Sequence, residues 1–237
     1  MVNKIRPWGR EIWDKKQLEQ GSLGVIAGTV ETKSFFDYQT IKEFKIIEKE
    51  VLPHLKKKAK ILDVGIGPFA RFSIEFAKRG FKVTGIDISP AIIGAARKEV
   101  LKSGYNIKIV EDDLTNIKNV KNEQDLVFCF GTFGHIPSFL ALTVLKGFNR
   151  ILKKDGYAYV HFWINKEKEF RDILHDFLYN LGHYMKIRMG KGYKVNSSFY
   201  TEEEIKEMTN LSGFKIIFKN SRGIYLLKKN QSFNASS

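Results

Sequence analysis

The 237-residue sequence predicts an α/β fold: a doubly wound, seven-stranded, mainly parallel sheet with an antiparallel C-terminal hairpin. Three observations predict it. From residue 60 onward, short β-branched runs alternate with helical patterns, as in parallel strands joined by crossover helices. The first run, ILDV, passes directly into the glycine turn GIG, where a chain leaving a strand can enter a helix. The last two runs, FKIIFK and GIYLLKK, lie only a few residues apart and so pair as a hairpin.

Residues 1–58 stand outside the alternation and are expected to form an N-terminal helical cap, with Trp8 and Trp13 followed by a helix from Thr40 to His54. The main domain is expected over 59–229, with a flexible tail at 230–237. KILDVG, FKVTGID, NIKIV, QDLVFCF and GYAYVHFW read as five strands, nearly continuously apolar because helices cover both faces. Helices are expected at 69–79, 90–102 and 138–153. The second has Ser89 as N-cap and Pro90 at its first position, and a later helix, TEEEIKEMTNL, starts with a capping box of Thr201 and Glu204. Residues 165–200 form an insertion after the fifth strand. There Phe170, Ile173, Leu174, Phe177, Leu178, Leu181 and Met185 recur at helical spacing, giving a helix packed on the domain or a lid over a substrate.

Hydrophobic residues make up 43% and aromatic residues 13% of the chain, enough for one ordinary core. No apolar run reaches the roughly 18–20 residues that span a bilayer, and MVNKIRPWGR lacks a signal-peptide core. A cytoplasmic protein without membrane association is therefore expected. The single cysteine, Cys129, excludes an intramolecular disulfide and a cysteine zinc cage, and its mid-strand place makes it a core thiol. A net charge of +14 raises a nucleic-acid partner, since clustered Lys and Arg release counterions from phosphates. The excess is +5, +4 and +5 over residues 1–60, 61–164 and 165–237. That even spread favours a solvated lysine-rich surface over a binding stripe, with RNA retained as a second partner class.

The glycine turn carries the chemistry. Gly65, Gly67 and Ala70 satisfy the G-x-G-x-x-A dinucleotide pattern, and Asp87 lies at the end of the second strand, where a carboxylate can hold ribose hydroxyls. A nicotinamide-dependent oxidoreductase is thus one reading. Asp63 points to another: an ionisable side chain ending an apolar strand is costly without a partner. A diphosphate would be repelled there, whereas the ammonium and sulfonium of S-adenosylmethionine would be attracted.

Through LDVGIGP, VTGIDIS, IVEDDL, DLVFCFGTFGHIP, LKGFNRILKKDGYAYV and the final hairpin, the sequence resembles the class I S-adenosylmethionine-dependent methyltransferases. The resemblance runs from about Lys60 to Lys229. It implies the family's Rossmann-like sheet, S-adenosylmethionine as cofactor, and three strand-end sites. The turn with Asp63, Gly65 and Gly67 would wrap the methionine part, and Asp87 with Ile88 the ribose. Asp113 with Leu114 would meet the adenine, Asp112 being able to exchange roles with Asp113. Phe130 and Gly131, with Thr132, would line the cofactor toward the substrate. One departure is that Phe69 stands where the family has a third glycine, so either Ala70 supplies the close approach or the turn is wider.

His135 in GTFGHIP is the candidate general base; His161, His175 and His183 are read as structural, and their spacing gives no metal triad. The tetrapeptide [DN]-P-P-[YFW] of methyltransferases acting on adenine or glutamine amino groups is absent after the fourth strand. A small-molecule acceptor with a nitrogen or oxygen nucleophile is expected first, then RNA such as tRNA or a protein. Trp8, Trp13 and the FFDY stretch serve either as an aromatic wall for that acceptor or as packing.

Overall fold

The structure is a computed structural model and describes residues 30–121, 123–165 and 198–230, with positions 177, 178, 181, 182 and 185 between them. In chain order the elements are α1 (Val30–Glu50), β1 (Lys60–Val64), α2 (Arg71–Lys78), β2 (Lys82–Asp87) and α3 (Pro90–Ser103). They continue with β3 (Lys108–Glu111), β4 (Gln124–Cys129), α4 (Ala141–Ile151), β5 (Leu152–His161), α5 (Glu202–Leu211), β6 (Phe214–Lys219) and β7 (Ile224–Lys229). The sheet has seven strands in the order β3-β2-β1-β4-β5-β7-β6. The first five run parallel, and β7 lies antiparallel to both β5 and β6, as the two closely spaced final runs require.

Each face of the sheet has its own apolar layer. Phe44 and Ile47 from α1 with Val51 just after it, Phe72 and Phe76 from α2, and Ala96 and Val100 from α3 pack on one face. Val144, Leu145, Phe148 and Ile151 from α4, with Ile205 from α5, pack on the other. Burial on both faces is why the central strands read as unbroken apolar runs. Cys129 lies within the second layer, fully buried, and burial first, then the nearby Asp63 charge, pushes its thiol well above its ordinary pKa. It is a core thiol.

Local signals place most boundaries. The Ser89 hydroxyl accepts from the Ile92 amide at 3.1 Å, and α3 ends at Gly104, with φ +72°. Both halves of the Thr201–Glu204 capping box form, at 2.7 and 3.1 Å. Several boundaries differ from expectation. The first helix starts at Val30 and ends at Glu50, and a 3-10 turn, Leu52–His54, completes it, because Pro53 has no amide to continue an α-helix. The helix expected over 138–153 begins as a 3-10 turn, Ser138–Leu140, and yields to β5 at Leu152. There β5 carries a bulge: Gln124 pairs with Leu152 but Leu126 with Tyr157, so the exposed Lys153, Lys154 and Asp155 are extra residues on one strand.

Of the expected insertion, 166–176, 179–180, 183–184 and 186–197 lie outside the described residues, as do 1–29 with Trp8 and Trp13, and the tail from 231. Its described members Phe177, Leu178, Leu181 and Met185 are helical and exposed. The insertion's two ends meet: Ile164 bridges Tyr200, and the Tyr200 amide donates to the Trp163 carbonyl at 2.8 Å.

α1 is fixed to the sheet by polar contacts as well as by Phe44 and Ile47. Glu43, buried, accepts from the Tyr159 hydroxyl and from Arg222 Nη2 at 3.0 Å. Burial first, then the Glu43 charge, pushes the Tyr159 phenol far above its ordinary range, so it stays a donor. The Arg222 side chain is 43% exposed against 2% for Glu43, so removing Arg222 strands a buried carboxylate while freeing a solvated cation. Arg222→Ala is expected to destabilise the fold by about 2 kcal/mol, the solvent exposure of Arg222 discounting the usual penalty for breaking a buried pair. The double variant Glu43→Gln/Arg222→Ala should recover at least half of that loss in urea denaturation, because an amide still accepts from Tyr159.

Candidate active site

Parallel pairing brings the carboxyl ends of β1, β2, β3 and β4 side by side: Asp63 lies opposite Gly85 and Phe128, and Asp87 opposite Glu111. The chain winds outward from β1 to β3 and returns to β4 on the other side of β1, so these ends flank the switch point where open α/β sheets bind ligands. A cavity of about 440 Å³ opens there. All ten site residues expected from the sequence line it: Asp63, Gly65, Gly67, Asp87, Ile88, Asp113, Leu114, Phe130, Gly131 and His135. So do Gln39, Phe69, Arg71, Asp112, Thr132 and His161.

Asp63 is 3% exposed and accepts from the Ser73 hydroxyl at 2.7 Å. Burial raises its pKa from an ordinary 3.8 to about 6, against the pull of the Ser73 bond and the Arg71 charge, and with a push from Asp87. The acid is therefore held at a free-energy cost that a bound cation would offset.

The turn after Asp63 hooks over β2, with the Gly65 and Ile66 amides both donating to the Ile86 carbonyl at 2.9 and 3.0 Å. Gly65 is left-handed, with φ +73°, and a Cβ there would overlap the Thr132 side chain. Only glycine meets both demands. Gly67 is also left-handed, φ +66°, and faces open space. Ala70 takes a third left-handed conformation, φ +47°, as N-cap of α2, yet it is buried away from the cavity while Phe69 lines it. Ala70 thus turns the chain, and Phe69 forms the wall. Gly65→Ala is expected to cost more than about 2 kcal/mol of stability, since left-handed strain adds to the clash; thermal unfolding measures it.

The adjacent acids after β3 have different tasks. Asp112 is buried and accepts from the amides of Asp113, Lys118 and Asn119 at 2.7–3.2 Å, which ties down the following loop. Asp113 is half-buried, and its Oδ1 accepts from the Thr115 amide and hydroxyl at 2.8 and 2.7 Å. Asp87 Oδ1 accepts from the Ser89 amide at 3.1 Å, which joins the second acid to the start of α3.

The far wall is aromatic. His135 meets Trp163 edge-on at 4.7 Å, and Trp163 lies 5.7 Å from Phe199. A Cβ at Gly134 would overlap the Trp163 indole, so the glycine is what lets the ring close on the His135 segment. His161 ends β5 and stacks on Phe130 at 4.8 Å. It also lines the cavity, in addition to the packing that the sequence predicts for it.

Four carboxylates and one guanidinium line the cavity, in a chain whose net charge is +14. A negative pocket in a positive protein suits a cationic ligand and repels a diphosphate. Comparison with known proteins agrees with that chemistry: residues 61–156 match the family described as a methyltransferase domain. That stretch of the chain is a methyltransferase domain. The family uses S-adenosylmethionine as methyl donor, and the dinucleotide reading of the glycine pattern is set aside.

A protein of Methanocaldococcus jannaschii named as a protein N5-glutamine methyltransferase is 27% identical over 161 residues, 68% of this chain and 73% of that one. The ubiquinone biosynthesis O-methyltransferase of Actinobacillus pleuropneumoniae is 32% identical over 105 residues, 42% of this chain and 44% of that one. Across the first matched relatives the chain spans from 40% to 73% of their length. The methyltransferase fold extends further than the sequence match. The crystal structure of a magnesium protoporphyrin IX methyltransferase from Synechocystis with bound S-adenosylhomocysteine superposes with a TM-score of 0.65 at 18% identity, over 93% of this chain and 98% of that one.

Gln39 and Arg71 were not singled out by sequence reasoning. Gln39 comes from α1, outside the strand–helix alternation that organises the other positions. Arg71 follows the irregular part of the turn, where its guanidinium lies 4.7 Å from the Phe72 ring and 6.0 Å from the Phe130 ring. His161 had a usable signal, a polar residue at the carboxyl end of a strand beside the switch point.

Proposed function

We propose that the protein transfers a methyl group from S-adenosylmethionine to a small-molecule acceptor with a nitrogen or oxygen nucleophile. The observation that carries this is Asp63, a buried acid with a raised pKa at the end of β1, in an acidic cavity of a basic protein. Asp63 and the turn through Gly65 and Gly67 would hold the methionine part, Asp87 and Ile88 the ribose, Asp113 and Leu114 the adenine, and Phe130 and Gly131 the approach to the acceptor. Bound there, S-adenosylmethionine supplies a methyl carbon on a cationic sulfonium. The chain's own contribution is positioning, exclusion of water by Phe69, Phe130 and Ile136, and removal of the acceptor's proton by His135.

A small acceptor is supported by the cavity's size, about 440 Å³, and by the name of the matched O-methyltransferase. A protein acceptor has the glutamine methyltransferase name in its favour, but CFGTFGHIP stands where such enzymes carry their proline pair. Two measurements test the proposal. Calorimetry should show S-adenosylhomocysteine binding and no NADH binding; the reverse would overturn the cofactor. Labelled methyl from S-adenosylmethionine, offered with a size-fractionated cell extract, should enter the low-molecular-weight fraction. Label confined to RNA or protein would overturn the acceptor class.

A further inference from the structure

Resting on the methyltransferase reading, the acceptor side of the cavity can be defined further from its two imidazoles, His135 and His161. His161 is stacked on Phe130 with the ring planes 24° apart, so that one face is covered and the ring edge carries its polar contacts. Its Nδ1 is buried and has no hydrogen-bond partner among the described residues. The Tyr225 hydroxyl shares that condition but does not line the cavity. A buried acceptor atom without a partner at the wall of a binding cavity is satisfied when a ligand brings the donor.

The groups around the ring fix its charge. Arg222, in the turn before β7, takes a hydrogen bond from the ring on its backbone and carries a charge that acts on it. Glu43 of α1 pairs with that guanidinium, and the Tyr159 hydroxyl, on the same strand as His161, donates to Glu43. Burial lowers the His161 pKa to about 4, helped by the Arg222 charge and partly opposed by a hydrogen bond to the Arg222 backbone. The imidazole is neutral at pH 7.

We propose that His161 orients the methyl acceptor, its Nδ1 receiving a hydrogen bond from an N–H or O–H of that molecule. Such a ring accepts a hydrogen bond without retaining a proton, which leaves proton removal to His135. The acceptor must therefore carry a polar hydrogen where it meets β5, and one bearing only an ether or tertiary amine there binds poorly.

Phenol and anisole, which differ in one O–H, probe this on protein saturated with S-adenosylhomocysteine. Phenol should bind roughly tenfold more tightly than anisole, the worth of about one hydrogen bond. The preference should fall to about one in His161→Phe and persist in His135→Phe, with S-adenosylhomocysteine affinity unchanged within twofold in His161→Phe. In wild-type protein labelled with 15N-histidine, the His161 Nδ1 resonance should be that of an unprotonated nitrogen at pH 7 and should shift with phenol but not with anisole. That spectrum needs no variant. Equal binding of the two probes, a preference that survives His161→Phe or is lost only in His135→Phe, or a protonated Nδ1 in the free protein would overturn the role of His161. Failure of the wild type to bind S-adenosylhomocysteine would instead overturn the methyltransferase reading.

Discussion

Asp63→Asn is expected to stabilise the ligand-free protein at pH 7 by about 3 kcal/mol and to weaken S-adenosylmethionine binding by about a hundredfold. Both effects come from the same buried charge. The carboxyl has a pKa of about 6 in the folded chain against an ordinary 3.8, so the folded state keeps its proton to higher pH than the unfolded state does. Its contribution to stability therefore falls as pH rises from about 4 to about 6, and the full penalty is present at pH 7. Asparagine removes the penalty and keeps the shape and a partner for Ser73. A cationic ligand favours the carboxylate, so affinity should decline as pH drops below about 6, and binding near that pH should release a proton. Urea denaturation from pH 4 to 8 and calorimetry in buffers of different ionisation enthalpy measure these effects. A destabilised variant with unchanged affinity would refute the role given to Asp63.

His135→Asn is expected to reduce the rate of methyl transfer by about 10²–10⁴-fold, the usual contribution of a positioned base, and to leave S-adenosylhomocysteine affinity within about threefold. The two readouts separate because His135 lies beyond β4, in the 3-10 turn Phe133–His135, against Trp163, and is not among the residues proposed to hold the cofactor. The split between kcat and cofactor affinity is the decisive measurement. Loss of both together would mean that the ring supports the cavity wall and takes no part in proton transfer.

Much of this architecture was legible in the sequence because two physical constraints act locally. Strands covered on both faces must be apolar throughout, so Ile61, Leu62 and Val64, or Leu126, Val127 and Phe128, identify themselves, and an aspartate ending such a run stands out. Glycine or proline chemistry fixed where α3 begins and where the β1 turn bends. The start of β5 was missed because Lys153–Asp155 are solvent-facing bulge residues with no apolar alternation to mark them. Ala70 gave no sign that it would adopt a left-handed backbone, since alanine has no preference for one. Gln39 reaches the cavity only through tertiary docking of α1 by Glu43, Tyr159 and Arg222, three residues far apart in sequence. His161 looked like one more buried strand residue, and its significance depends on an unpartnered nitrogen that only three-dimensional packing reveals.

The meeting of the chain at Ile164 and Tyr200 has an evolutionary consequence. Ser198 is tied to the Gly134 and Ile136 carbonyls at 2.7 Å, so the two ends close into a clasp held by the sheet side of the cavity. Lengthening a segment whose ends are already joined costs only about 0.6 kcal/mol per doubling. A change in the length of chain between the two ends is therefore expected to cost the sheet little. Because the clasp sits beside His135, substitutions in it would alter the surroundings of the proposed base while the parallel sheet stays fixed.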